Sequence, residues 1–156
     1  MSNEQTSMEA SVRRRIALLH ETLPDSIGSR LGFELITCDA EKGEYTLQCK
    51  TQAWMNNLSN ILHGGIGATI LDQAMGNIAQ CVMPGEGTVS TVQLQVTYHR
   101  PLIPGADVQV RVRVQSVTKN LIHLSAEASL ASAPQRLCIT GTSMFFYKPT
   151  AAEKKL

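Results

Sequence analysis

The stretch between Lys50 and Glu86 constrains the fold of this chain most strongly, because it contains 35 residues and only one charge. That charge is Asp72, which lies in a long run of apolar and small residues from Gly64 to Met83. Apolar residues recur along the run at intervals of four: Ile66, Ile70, Ala74, Ile78 and Val82. This spacing predicts a helix, and because its other faces carry mainly small residues, the helix should be buried on most sides.

Segments with the two-residue period of β-strands lie on both sides of this helix. Before it, alternation begins near Leu31, and a polar turn at 39–43 separates two strands that should form a hairpin. After it come four more alternating runs, near 92–98, 108–115, 123–130 and 136–147. Each run has one polar face, so we expect an antiparallel sheet with one side in solvent. A sheet must curve around so apolar a helix to cover it, which predicts an α+β domain with a central helix.

The segment before the first strand has the pattern of an amphipathic helix. Apolar residues recur at helical spacing: Met8, Val12, Ile16 and Leu19. Residues 1–7 are polar and expected to be frayed, and Pro24 should end the helix. Three arginines at 13–15 lie within this helix. Their position indicates its solvated side rather than a nucleic-acid patch.

Length and composition limit the class of protein. The 156 residues suit one domain, which we place at 31–148, with a helical extension at 1–30 and a flexible tail at 149–156. The net charge is +1, which argues against a nucleic-acid partner. Four cysteines without a CxxC pair argue against a zinc site and favour a reducing compartment. Neither a signal peptide nor a membrane span is recognisable, so we expect a cytoplasmic protein.

Asp72 is also the first candidate for chemistry. A carboxylate among apolar residues is costly unless it is paired, protonated or facing a cleft. A structural explanation is that Asp72 caps a neighbouring backbone group. The sequence His63-Gly64-Gly65 favours a functional explanation, because it stands where the helix should begin. N–H groups at a helix start lack intrahelical partners, and glycines let a ligand reach them. Such an end could bind phosphate or polarise a carbonyl.

The spacing of these two features predicts an oligomer. Gly64 and Asp72 are eight residues apart, or ~12 Å along a helix that rises ~1.5 Å per residue. A carboxylate that far away cannot act on a carbonyl held by the Gly64 amide. If both take part in one reaction, they must come from two chains, and a two-fold dimer with two equivalent sites satisfies this.

Two further polar residues near the helix start have alternative roles. His63 could act as a base, but we favour a structural role in which it sets the entry into the helix. Asn57 could orient a water or contact a substrate, or it could satisfy local backbone groups. The sequence contains no GxSxG, Walker A, GxGxxG or HExxH pattern, which argues against common serine hydrolases, P-loop enzymes, Rossmann domains and zincins.

Together these residues form a recognisable pattern. Asn57, His63-Gly64-Gly65 and Asp72, followed by the strand sequence 91–101, resemble the hotdog-fold acyl-CoA thioesterases of the PaaI-like (phenylacetic-acid-degradation) type. HGG alone is unspecific, but Asn six residues before the His and Asp nine after it make the match more specific. The resemblance covers about 31–146. It implies the hotdog fold, in which an antiparallel sheet wraps around a long central helix.

The resemblance also implies roles for individual residues. Asp72 acts as general base or nucleophile on a thioester, and the N–H of Gly64, alone or with Gly65, polarises the carbonyl from the other subunit. The hydroxyl of Thr91 or its neighbour Ser90 assists the attacking water. The candidate catalytic residues are therefore Asp72, Gly64, Asn57, His63 and Thr91, and the candidate substrate-binding residues are Gly65, Ser90, Lys119 and Arg100, the last two as contacts for coenzyme A phosphates. No metal or cofactor is required, because a thioester is already activated.

Three functions remain possible at this point. The first is hydrolysis of a small or medium acyl- or aryl-CoA by a homodimer, or by a homotetramer built as a dimer of dimers. The second is a non-catalytic module that binds acyl-CoA as a sensor or carrier. The third is a hotdog dehydratase, which is disfavoured because Gly rather than Pro follows His63. The sequence leaves open the acyl group, a carrier-protein thioester in place of CoA, and whether Asp72 acts as base or nucleophile.

Overall fold

The computed structural model describes residues 3–150 of the chain. Two helices precede the first pair of strands, and a short 3-10 turn and a long helix follow it. In order, the elements are α1 (Asn3–Thr22), α2 (Ile27–Arg30), β1 (Glu34–Asp39), β2 (Glu44–Lys50), a 3-10 turn (Ala53–Met55), α3 (Gly64–Val82), β3 (Gly87–Tyr98), β4 (Asp107–Val117), β5 (Leu121–Leu130) and β6 (Leu137–Pro149). Met1, Ser2 and residues 151–156 lie outside the described part.

The six strands form one antiparallel sheet in the order β1-β2-β4-β5-β6-β3. Helix α3 packs against four of them, β3 to β6, and the apolar faces of helix and sheet form one hydrophobic core. This confirms the predicted α+β fold with a sheet around a long central helix. Helix α1 covers part of α3 and β1.

Helix α3 is buried along the stripe that its sequence predicts. Ile70, Ala74 and Ile78 are fully buried. The small residues let the sheet come close: a Cβ built on Gly67 would lie 2.7 Å from Cδ1 of Ile139. The helix ends at Val82, just before Pro84, which cannot continue it.

Strand β3 forms one edge of the sheet and carries a bulge that the alternation of its sequence does not predict. Its register with β6 shifts between Thr91 and Gln93, so Val92 is the extra residue and its side chain is 57% exposed rather than inward. A bulge reverses which residues face each side. Thr91 before the bulge and Tyr98 after it therefore lie on the same, helix-facing side.

The ends of the predicted elements differ in three places. Helix α1 begins at Asn3, so residues 3–7 are helical rather than frayed. Leu31 ends α2 with its side chain in the core, and β1 begins only at Glu34. Strand β6 runs to Pro149, and the N–H of Thr150 donates to the carbonyl of Glu86 at 2.9 Å. The predicted tail is thus paired at its first two residues, and its remainder lies outside the described part.

All four cysteines are free thiols. Burial raises the pKa of Cys49 to about 12 and that of Cys81 to about 11. Both thiols are therefore protonated at neutral pH, which makes them poor nucleophiles. Within residues 3–150, no helix is long and apolar enough to cross a membrane.

Candidate active site

Asp72 lies near the middle of α3 on the side that faces the edge strand. Its side chain is partly buried, and its Oδ1 accepts a hydrogen bond from Oγ1 of Thr91 at 2.9 Å. Within residues 3–150 it makes no ion pair and accepts no backbone N–H, so the structural explanation, an Asp that caps backbone, does not apply. The second oxygen, Oδ2, has no partner in that part of the chain.

The bulge decides which of the two adjacent hydroxyls meets Asp72. Thr91 pairs with Phe145, whose side chain is buried, whereas Ser90 pairs with Phe146, whose side chain is exposed. Residues opposite each other in an antiparallel ladder share a face. Thr91 therefore faces the helix and Ser90 faces away from it.

His63 caps the start of α3. Its Nδ1 accepts a hydrogen bond from the N–H of Gly65 at 3.0 Å, while its carbonyl accepts from the N–H of Gly67. The ring nitrogen that would take up a proton is thus already used as an acceptor. The Gly65 amide is occupied as well, whereas the N–H of Gly64 meets no acceptor among residues 3–150. Gly64 is therefore an available donor at this helix end.

Tyr98, which the sequence pattern marks only as a strand residue, belongs to the same region. Its hydroxyl donates to the carbonyl of Gly64 at 2.5 Å, and its ring lies 3.6 Å from the position of a Cβ on Gly64. This contact clamps the start of α3 to the end of β3. Strict alternation from Val92 does place Tyr98 on the helix side, but no motif marks it as a site residue.

Asn57 holds the loop before the helix. Its Oδ1 accepts from the N–H of Ser59 at 2.9 Å and from that of Ile61 at 3.4 Å, as expected for a loop Asn that satisfies local backbone. Its amide nitrogen donates to no residue in the described part. Asn57 lines a cavity of about 390 Å³ together with His63, Gly64, Tyr98 and Arg100.

The two candidate phosphate contacts lie far apart. Lys119 is in the turn between β4 and β5, where the carbonyl of Asn120 accepts from the N–H of Tyr147. The backbone of Arg100 donates instead to Cys138, at the other end of β6. At ~3.3 Å per strand residue, these two points on β6 are roughly 30 Å apart. One chain therefore cannot bring both side chains to a single phosphate.

The candidate residues thus form two groups within one chain. Asp72 and Thr91 form the first, and Gly64, Asn57, Tyr98 and Arg100 surround the second. About two helical turns separate them, or ~12 Å along α3. A carboxylate with a hydroxyl partner and a free amide donor can together hydrolyse an activated carbonyl, provided that the two groups come from different chains.

Two other features contribute nothing to this chemistry. Across residues 3–150, no cluster of three or more His, Cys, Asp or Glu side chains could hold a metal ion. A larger cavity of about 610 Å³ lies on the outer face of the sheet, between the exposed ion pairs Arg111–Glu127 and Arg113–Glu44. It includes none of the candidate residues.

A comparison with sequence models of known families matches part of the chain. The sequence model of the Thioesterase superfamily matches residues 59–134, which include Gly64, Asp72 and Thr91. No curated protein matches the chain.

Solved structures share the fold of most of the chain. The PaaI protein of the phenylacetic acid degradation operon of E. coli superposes with a TM-score of 0.74 at 16% identity, over 90% of this chain and 96% of that one. Thioesterase superfamily member 2 from Mus musculus superposes with a TM-score of 0.72 at 19% identity, over 94% of this chain and 98% of that one. A phenylacetic acid degradation-related protein from Ralstonia eutropha JMP134 superposes with a TM-score of 0.72 at 18% identity, over 85% of this chain and 98% of that one. The chain therefore has the hotdog fold of these structures, and its residues 59–134 match the sequence model of the Thioesterase superfamily.

Proposed function

We propose that this protein is an acyl-CoA thioesterase that hydrolyses a small or medium acyl- or aryl-CoA to the free acid and coenzyme A. The observation that carries the proposal is the pairing of Asp72 with the Thr91 hydroxyl, which holds a carboxylate on the helix at a partly exposed position. The unoccupied N–H of Gly64 supplies the second requirement, a donor for the carbonyl oxygen.

Each group has a defined part in the reaction. The Gly64 amide donates to the thioester oxygen, and the positive end of the α3 dipole favours the negative charge that develops there. Asp72 takes a proton from water as the water oxygen bonds to the carbonyl carbon, and the Thr91 hydroxyl holds the carboxylate in place. The C–S bond then breaks, and the departing thiolate receives the proton. If Asp72 acts instead as a nucleophile, it first forms a mixed anhydride that water hydrolyses.

The proposal includes a homodimer in which each site takes Asp72 from one chain and Gly64 from the other. The edge position of β3 supports this, because the outer edge of a long strand is a template for a second strand. Val92 and Tyr98 are exposed along β3, at 57% and 52%. Both are large side chains that a second copy would cover.

The bulge supports a particular register for that pairing. Residues that lie opposite each other in an antiparallel pair share a face. Because the bulge puts Thr91 and Tyr98 on the same face, Thr91 can lie opposite the partner's Tyr98. Asp72 would then approach the partner's Gly64, and the two-fold axis would pass near Gln95.

We also propose that two dimers associate into a homotetramer and that the protein works in the cytoplasm. Four unpaired thiols, at Cys38, Cys49, Cys81 and Cys138, support a reducing compartment.

The test is a thiol-release assay with a panel of short, medium, long and aryl acyl-CoA thioesters. Asp72→Asn keeps the size and polarity of the side chain but removes the base. We expect turnover to fall by about two to four orders of magnitude while the protein remains folded and dimeric. Equal turnover by the variant would contradict the role of Asp72. A folded wild-type protein that hydrolyses no thioester would contradict the proposed activity and favour an acyl-CoA-binding module.

A further inference from the structure

A second cavity adjoins the one at the start of α3. It has a volume of about 280 Å³ and is lined by Arg100, Pro101, Leu130, Ala133, Arg136 and Cys138. Arg100 and Pro101 also line the cavity that contains Gly64. The two cavities are therefore neighbours, and a long ligand held at Gly64 could extend past Arg100 to Arg136.

The charges of this second cavity favour an anion. Arg136 is exposed, and its side chain makes no hydrogen bond or ion pair with any residue from 3 to 150. Arg100 donates to the carbonyl of Leu137 at 2.8 Å through Nη1, which anchors its guanidinium and leaves its other N–H groups available. Neither cavity has an Asp or Glu in its lining within the described part of the chain.

The shape of the charged groups narrows the choice of anion. A guanidinium presents a planar fork of N–H donors that matches two phosphate oxygens at once. Pro101, Leu130 and Ala133 add an apolar surface beside the two arginines, suited to a ring. A ligand with phosphates next to an aromatic base fits both parts.

We infer that Arg100 and Arg136 bind the phosphates of the nucleotide end of coenzyme A, while the thioester lies at Gly64. This inference rests on the proposed thioesterase function and adds a location and a residue to it. Arg136 is the new member, since no sequence motif marks it. Lys119 of the same chain lies at the other end of β6 and is no part of this cavity.

The kinetic test compares two substrates that share one acyl group. One is the acyl-CoA that the panel identifies as best, and the other is the acyl-pantetheine thioester, which lacks the phosphates and the nucleotide. Arg136→Ala should raise KM for the acyl-CoA about tenfold and leave kcat unchanged, because one charged contact is lost far from the reacting atoms. Both parameters should stay unchanged for the acyl-pantetheine. Arg136→Lys keeps the charge but lacks the planar pair of N–H donors. Its KM for the acyl-CoA should lie between those of wild type and Arg136→Ala.

The matched control is Arg14→Ala, which removes an exposed arginine on α1. It should leave KM and kcat unchanged for both substrates. If Arg136→Ala raised KM by the same factor for both substrates, or left KM for the acyl-CoA unchanged, the inference would be overturned.

Calorimetric binding of free coenzyme A separates this inference from the proposed activity. Wild-type protein and Arg14→Ala should bind equally, and Arg136→Ala should bind about tenfold more weakly. That result would support the phosphate site even if the protein hydrolysed no thioester. Wild-type protein that fails to bind coenzyme A, or equal binding by Arg136→Ala, would overturn it.

Discussion

Among single residues, Gly64 contributes a backbone amide on which the proposed chemistry depends. The Nδ1 of His63 accepts from the N–H of Gly65, whereas the N–H of Gly64 meets no acceptor among residues 3–150 and is available to a ligand. The backbone at this point allows a substitution that removes only the donor. His63 has φ −60° and ψ 134°, the extended conformation that a residue before proline requires, and proline is favoured at the first position of a helix.

We therefore expect Gly64→Pro to lower turnover of the acyl-CoA by about 100-fold or more, the usual effect of losing one oxyanion donor. The melting temperature should change little. Gly64→Ala is the control that keeps the N–H, and its Cβ would lie 3.6 Å from the Tyr98 ring, an ordinary contact. Its turnover should fall less than that of the proline variant. A folded Gly64→Pro protein with full turnover would show that this amide takes no part.

Some of these residues could be predicted from the sequence, and others depend on three-dimensional contacts. Asp72 stands out because it is the only charge in its stretch, and the glycines mark an accessible helix start. The choice between Ser90 and Thr91 depends on a bulge that alternation alone does not indicate. The hydrogen bond from Tyr98 to Gly64 joins residues 34 positions apart, and no local pattern predicts such a pair.

At the scale of elements, the contact between β3 and β6 fixes where the edge strand lies. Gly141 sits where the two strands and α3 meet: a Cβ there would lie 2.7 Å from the carbonyl oxygen of Gln95 and 2.9 Å from Cδ1 of Leu71. Backbone cannot move aside as the end of a side chain can. The absence of a side chain at Gly141 thus lets β3 approach β6 and the helix together.

Gly141→Ala should accordingly destabilise the protein by about 1–3 kcal/mol, since overpacking forces a backbone shift. The measurement is the free energy of unfolding in urea. Gly76→Ala is the matched control, because its Cβ would meet Phe145 at 3.4 Å and helical Ala is favoured over Gly. Equal stability of Gly141→Ala and wild type would mean that β3 and β6 are less closely packed than described.

Periodicity predicts the long elements well and the short ones poorly. The central helix and six strands follow from repeats of apolar residues over ten or more positions, or from clear alternation. Helix α2 has only four residues, too few for a period to be visible, so the sequence pattern places Leu31 at the start of a strand. The early start of α1 at Asn3 lies in a polar segment where apolar spacing gives no signal.

In the molecule as a whole, the proposed site consists of two halves that lie apart within one chain. Asp72 with Thr91 and Gly64 with Tyr98 lie at different points along α3 and β3 of the same chain. Their separation could be predicted from the eight residues between Gly64 and Asp72, since helix geometry fixes the distance per residue. The surface that would join two chains could not be predicted from the sequence, because it depends on which strand lies at the edge of the sheet.

The proposal that each site is shared by two chains can be tested by mixing two inactive variants. Asp72→Asn and Gly64→Pro chains are combined under conditions that allow subunit exchange, and thiol release is measured before and after. Each mixed dimer would contain one intact site, so random exchange should restore about a quarter of wild-type turnover. Asp72→Asn exchanged with itself is the control and should stay inactive. If mixed dimers form, as mass analysis of tagged chains can establish, and turnover does not recover, the shared site is contradicted.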